Sequence, residues 1–126
     1  MTENLELTSI LTSIKKLLGI QEDYVHYDSD IIILINMNFL TLHQIGLGPK
    51  LGFSIKDETS KWEDFIKDPF MTEAVKTYIY LKVRLIFDPS GTSYVLTAMK
   101  EQVKELEWRF YVQASINRME EELNGR

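Results

Sequence analysis

The chain has 126 residues, 44% hydrophobic and 26% charged, which suits a single domain, residues 1–126, with one core. Its net charge of −5 argues against binding nucleic acid through a basic surface, and the absence of cysteine excludes disulfides and thiolate metal sites. The acidic N-terminus lacks the positive start of a signal peptide, and the longest apolar run is too short to span a bilayer.

Two amphipathic helices are expected in the first part of the chain. Aliphatic residues recur at helical spacing from Leu5 to Leu18. A second helix is expected from Asp30 to about Ile45, with Asp28 or Ser29 as its cap and Gly46 at its end. The residues expected on its buried side are Ile31, Ile35, Leu42 and Ile45, with Ile32 and Phe39 beside them.

An extended segment is expected between the second helix and the middle of the chain. Residues 52–57 alternate in polarity, which predicts a short strand or an extended loop. A lone strand pairs with a neighbouring hairpin or with another chain, because its backbone groups need partners. Phe53 and Ile55 are therefore candidate interface residues.

A long helical hairpin is expected to organise the fold. Apolar residues at the spacing of one helix face, from about Thr72 to Phe87, predict a central helix with Asp68 as its cap and Pro69 at its first position. Pro89 and the residues around it, Asp88 and Gly91, are expected to form the hairpin turn.

A last helix follows, capped by Thr92 or Ser93. Its apolar stripe comprises Leu96, Met99, Val103, Leu106 and Phe110. From about residue 120 the chain is polar, and we expect it to fray. The predicted fold is all-α, a small bundle of about four helices built on the central hairpin, with one extended loop or short strand near residues 52–57.

The sequence contains no arrangement that favours catalysis. His26 and His43 come from different elements and lack metal-ligand spacing. Glu101 and Glu105 lie one turn apart on a helix that also carries lysines, which is typical of a solvated face. No serine has the context of a nucleophile elbow, and no glycine loop has the pattern of a phosphate loop. We expect neither an enzyme nor a metal or cofactor site.

Aromatic residues are the strongest candidates for contacts with other proteins. The chain has 2 Trp, 6 Tyr and 6 Phe, a generous number for one small domain. Trp62, Phe65 and Tyr111 are expected to be covered by another subunit, so that Trp62→Ala would leave a folded monomer with impaired assembly. Trp108 and Arg109 belong to residue types enriched at binding hot spots, and the sequence favours a partner anchor and a core edge about equally.

Several stretches resemble one family when taken in order. They are the helix from Ile32 to Ile45 ending in Gly46, Trp62-Glu63-Asp64-Phe65, the helix from Val75 to Leu85 with Tyr78 and Lys82, the turn Phe87-Asp88-Pro89, and Glu105-Leu106-Glu107-Trp108-Arg109. This set, over about two thirds of the chain, resembles the head-tail connector, or adaptor, proteins of long-tailed bacteriophages and their prophages. Asp88-Pro89-Ser90 departs from the doubled proline of that pattern.

The resemblance implies a structural protein of virion assembly. It implies a homo-oligomeric ring, twelve-fold when assembled on the portal, from a chain that can be monomeric alone. Its partners would be the portal protein and a stopper or tail-completion protein, with DNA passing through the lumen without specific binding and no membrane contact. Such a protein is found in the virion neck, and in the host cytoplasm during assembly.

An alternative is a small helical regulator or inhibitor that binds a single protein partner. Both functions are expected to lack catalytic groups, so stoichiometry separates them. An adaptor forms head-to-tail contacts that close into a ring, whereas a regulator is a monomer or a two-fold dimer.

Overall fold

The computed structural model describes residues 8–89 and 91–125. Within these residues the chain forms five α-helices, and its only β-type pairing is an isolated bridge between Ser9 and Lys61. The helices are α1 (Ile10–Leu17), α2 (Asp28–Ile45), α3 (Trp62–Phe65), α4 (Pro69–Phe87) and α5 (Ser93–Asn124). The prediction of a small all-α bundle is therefore confirmed. The part of the first predicted helix at residues 5–7 lies outside the described residues.

The first two helices are joined by a buried ion pair. Lys15 of α1 is only 3% exposed, and its Nζ lies 2.9 Å from a carboxylate oxygen of Asp28 and donates to the backbone oxygen of Glu22 at 2.9 Å. This pairing corrects the prediction for the start of α2. Tyr27 stands at the cap position and makes no side-chain cap hydrogen bond. The Asp28 carboxylate is not used as the cap, because it compensates the charge of the buried Lys15.

The central hairpin forms as the sequence predicts. Asp68 accepts a hydrogen bond from the backbone N–H of Phe70 at 3.0 Å with Pro69 beginning α4, and Thr92 accepts one from the N–H of Val95 at the start of α5. The buried residues of the two helices are Val75, Tyr78, Ile79, Leu81 and Val83 of α4, and Val103, Leu106, Phe110 and Ala114 of α5. Helix α5 continues to Asn124. Fraying of the polar residues from about 120 stays a prediction.

The extended segment does not form a strand, because a side chain supplies its hydrogen bonds. The Asn36 amide on α2 donates to the backbone oxygen of Ile55 at 2.9 Å and accepts from the N–H of Ile55 at 2.8 Å. One asparagine thus supplies hydrogen bonds that the sequence analysis expected from a neighbouring hairpin or another chain, and the backbone of Ile55 is satisfied within the subunit. Ser9 holds the same loop further along by donating to the backbone oxygen of Glu58 at 2.7 Å.

An aromatic cluster on Phe39 of α2 forms one end of the core. The ring centroids of Phe53 and Phe65 each lie 4.8 Å from that of Phe39, and Trp62 lies 6.4 Å away. The loop can approach this closely because Gly48 has no side chain: a Cβ there would lie 2.3 Å from the ring of Phe65. Gly48 also has a φ of +86°, which L residues adopt only with strain.

Two glycine substitutions separate these two effects. Gly48→Ala and Gly52→Ala both place a methyl group at a positive φ, at a cost of about 1–2 kcal/mol, but Gly52 has open space around it. Gly48→Ala is expected to lower the free energy of unfolding by about 1–3 kcal/mol more than Gly52→Ala, because the Phe65 ring must move. Urea denaturation of both variants measures the difference. Equal losses would show that the ring shifts without cost.

Candidate protein interaction surfaces

Four of the predicted interface residues lie inside the subunit. Phe53, Ile55, Trp62 and Phe65 all contribute to the core, with Ile55, Trp62 and Phe65 buried and Phe53 half-buried. The three aromatic rings pack against Phe39 within one chain. A role for them in contacts with a second chain stays a prediction. The burial of Trp62 changes one expectation, because Trp62→Ala should now destabilise the monomer itself.

Trp62 links α1, α3 and α4. Its indole N–H donates to the Ser13 hydroxyl of α1 at 2.8 Å, and the Lys76 ammonium of α4 lies 5.9 Å from its ring centroid. The residue is 2% exposed and begins α3. Its size and its polar contacts therefore serve the packing of α1, α3 and α4.

The other three predicted interface residues are on the outer side of α5. Trp108 is 67% exposed, Tyr111 is also exposed, and Arg109 forms a 2.9 Å ion pair with Glu105. Trp108 and Arg109 line a groove of about 580 Å³ between the first turns of α4 and the middle of α5. We call it the α4/α5 groove, and its apolar lining comprises Met71, Ala74, Trp108, Phe110 and Val112.

A second apolar surface lies on α2, and the sequence analysis did not identify it. Ile33, Met37 and Leu40 are 61%, 58% and 48% exposed. They follow one another at i, i+4 and i+7, so they share one helix face, which we call the α2 stripe. The signal was present in the sequence: α2 is apolar on nearly all sides, and a core can cover only one of them.

The titratable residues that the sequence analysis considered for catalysis or metal binding do not come together in one site. His26 is exposed in the loop between α1 and α2, where its ring packs edge-on to Tyr27 at 4.7 Å, whereas His43 lies in the last turn of α2. Glu101 and Glu105 pair with cations on their own helix, Lys104 and Arg109. Among residues 8–89 and 91–125, no group of three or more His, Asp or Glu side chains is placed to hold a metal ion.

A buried tyrosine links the helices of the hairpin. The Tyr78 hydroxyl donates to a carboxylate oxygen of Glu107 at 2.8 Å, and its ring packs edge-on to Phe110 at 5.3 Å. Burial and the hydrogen bond to Glu107 raise the pKa of Tyr78 well above its usual value, because both disfavour the phenolate. This contact fixes α4 against the part of α5 that carries Trp108.

The fold and these surfaces define a class: a small helical protein whose described residues form a core and leave the α2 stripe and the α4/α5 groove uncovered. Comparison with protein families identifies the particular one. The profile of the phage connector protein family matches residues 10–117, and the chain belongs to that family. No curated protein and no solved structure matches.

Family membership gives the chain a structural role in the phage connector and, as partners, other proteins of the phage head and tail. The resemblance found in the sequence is thereby confirmed. In the part of the chain that the structure covers, each helix is too short or too polar to cross a bilayer.

The two tryptophans allow one substitution to be compared at a core and a surface position. Trp62→Ala is expected to lower the free energy of unfolding by about 3–5 kcal/mol, because it leaves a cavity next to Phe39 and removes the hydrogen bond to Ser13. Trp108→Ala is expected to change it by less than about 1 kcal/mol, because the indole is mostly exposed. Denaturant unfolding measures both. Similar losses would contradict the assignment of Trp62 to the core.

Stability at alkaline pH should depend on Tyr78. The folded state keeps this hydroxyl protonated, whereas in the unfolded chain it ionises near pH 10, so the free energy of unfolding falls as pH rises above that value. Tyr78→Phe is expected to make this fall shallower. Tyr94→Phe, at an exposed tyrosine of α5, is the control and should leave the fall unchanged. Thermal melts between pH 8 and 11 measure it, and identical slopes for all three proteins would refute the role of Tyr78.

Proposed function

We propose that this connector protein is the ring-forming adaptor of the virion neck, joining the portal vertex of the capsid to the stopper or tail proteins. One observation carries the proposal: the described residues include separate apolar surfaces that they leave uncovered, among them the α2 stripe and the α4/α5 groove. A ring needs heterologous contacts, in which two different surfaces of the same subunit meet. The described helices provide two such surfaces that share no residue.

The end of α5 is the proposed contact for the proteins above or below the ring. Ile116, Met119 and Leu123 are exposed there, beyond Ala114, the last buried residue of the helix. Exposed apolar residues grouped on one helix are typical of a binding surface. We propose that this end of α5 binds the portal or the stopper protein once subunits, made in the host cytoplasm, assemble.

The charge of the chain suits a ring that surrounds DNA. With a net charge of −5, each subunit repels the phosphate backbone more than it attracts it, so DNA slides through the lumen without specific binding. The twelve-fold symmetry implied by the resemblance is part of the same proposal. Weak DNA binding by the assembled ring at moderate salt supports it, and tight sequence-independent binding refutes it.

Co-expression with the portal protein of the same phage tests the adaptor function. The mass of the purified complex by light scattering, and its shape by negative-stain electron microscopy, should indicate a ring of this chain on the portal. A monomer or a two-fold dimer that does not bind the portal would instead support a small helical regulator with one partner.

A charge on the α2 stripe should prevent assembly without unfolding the subunit. Met37→Asp places a carboxylate on a face that we expect to be buried between subunits, where an unpaired charge costs several kcal/mol. Subunit association should weaken at least tenfold, which corresponds to about 1.4 kcal/mol. Tyr94→Asp adds the same charge at an exposed position outside both surfaces and is the control.

The yield of rings on the portal is the measurement, with circular dichroism as the check on folding. Normal ring yield from Met37→Asp would exclude the α2 stripe from the assembly interface. Equal loss from Tyr94→Asp would attribute the effect to net charge alone.

A further inference from the structure

The α2 stripe belongs to a helix that has no charged residue over most of its length. From Ile31 to Leu42 every residue is uncharged, yet Ile33, Met37 and Leu40 face outward. Helices that are apolar all round are normally buried. One side of α2 packs on the core through Ile35 and Phe39. The opposite side is exposed, because the described residues do not cover it.

The α4/α5 groove of another subunit has the shape and chemistry to cover the exposed side of α2. It is concave, its apolar lining includes Ala74 and Val112, and its volume of about 580 Å³ can hold several aliphatic side chains. Its two charged residues, Glu105 and Arg109, pair with each other at 2.9 Å. An uncharged helix face can therefore enter the groove without burying an unpaired charge.

We propose that the α2 stripe of one subunit inserts into the α4/α5 groove of the next subunit, and that this contact closes the ring. The inference rests on the proposed function and specifies which surfaces meet. The observations favour a second copy of this chain as the occupant of the groove. The same chain carries both the uncharged α2 stripe and a groove whose two charged residues pair with each other.

The helix geometry supports the contact. Ile33 and Met37 form an i, i+4 ridge on α2, and Trp108 and Val112 form one on α5. Ridges of this kind interdigitate when two helices cross at about −50°, the commonest packing of helices in globular proteins. The contact is heterologous because the ridge and the groove differ. A stripe-to-stripe contact would instead close into a two-fold dimer and leave the groove empty.

Disulfide cross-linking can test the contact without background, because the chain contains no cysteine. The test uses phage particles that carry Met37→Cys together with Val112→Cys, two exposed positions on opposite sides of the proposed contact. A disulfide forms only where the two Cα atoms approach within about 7 Å. Mild oxidation should give a ladder of covalent oligomers on a non-reducing gel. Met37→Cys with Tyr94→Cys is the matched control and should remain monomeric.

Each outcome bears on a different statement. Particles that contain the protein but give no ladder overturn the stripe-in-groove contact and leave the adaptor function standing. Dimers from Met37→Cys alone or from Val112→Cys alone overturn it too, because they indicate a two-fold contact. Particles that assemble without the protein refute the proposed function itself.

A charge pair provides a second measurement that needs no oxidation. Met37→Lys and Val112→Glu are each expected to reduce ring yield at least tenfold, because each places an unpaired charge in an apolar contact. Combined in one chain, the two charges face each other across the subunit boundary and should restore most of the yield. Failure of the combination to improve on either single variant would overturn the proposal.

Discussion

The burial of Phe39 is the constraint on which the rest of the structure depends. Phe39 lies on α2 but is covered by Phe53 from the loop and by Trp62 and Phe65 from α3, residues that a local helical pattern cannot pair with it. Their convergence holds the loop between α2 and α3 against the bundle. The aromatic residues of this region are thereby used for folding, and the exposed α2 stripe and α4/α5 groove lie elsewhere.

The α2 stripe and the α4/α5 groove arise from the way the helices pack. Helix α2 carries apolar residues on more than one side, and a small core covers only one of them, so Ile33, Met37 and Leu40 stay exposed. The hairpin leaves a groove where α5 passes the first turns of α4. A connector subunit of this kind has a core within one chain and exposed apolar faces outside it, as the proposed assembly requires.

The sequence predicts this fold wherever the determinants are local. Asp68, Pro69 and Thr92 begin their helices, and Gly46 ends α2, because caps and left-handed glycines act within one turn. What the sequence could not predict involves distant partners: Asp28 pairs with Lys15, and Asn36 bonds the backbone of Ile55, which decides for an extended loop over a short strand. That the candidate interface residues contact another protein stays a prediction. Residue type drew attention to Trp62 and Trp108 alike, but only the packing reveals that one is core and the other surface.

The uncharged run in α2 also has a consequence before folding is complete. Residues 31–40 combine aliphatic and aromatic side chains with no charge, proline or glycine, the composition of segments that stack into amyloid-like sheets when their backbone is free. In the folded subunit the hydrogen bonds of α2 occupy that backbone. Formation of α2 thus withdraws the backbone of this segment from pairing with another chain.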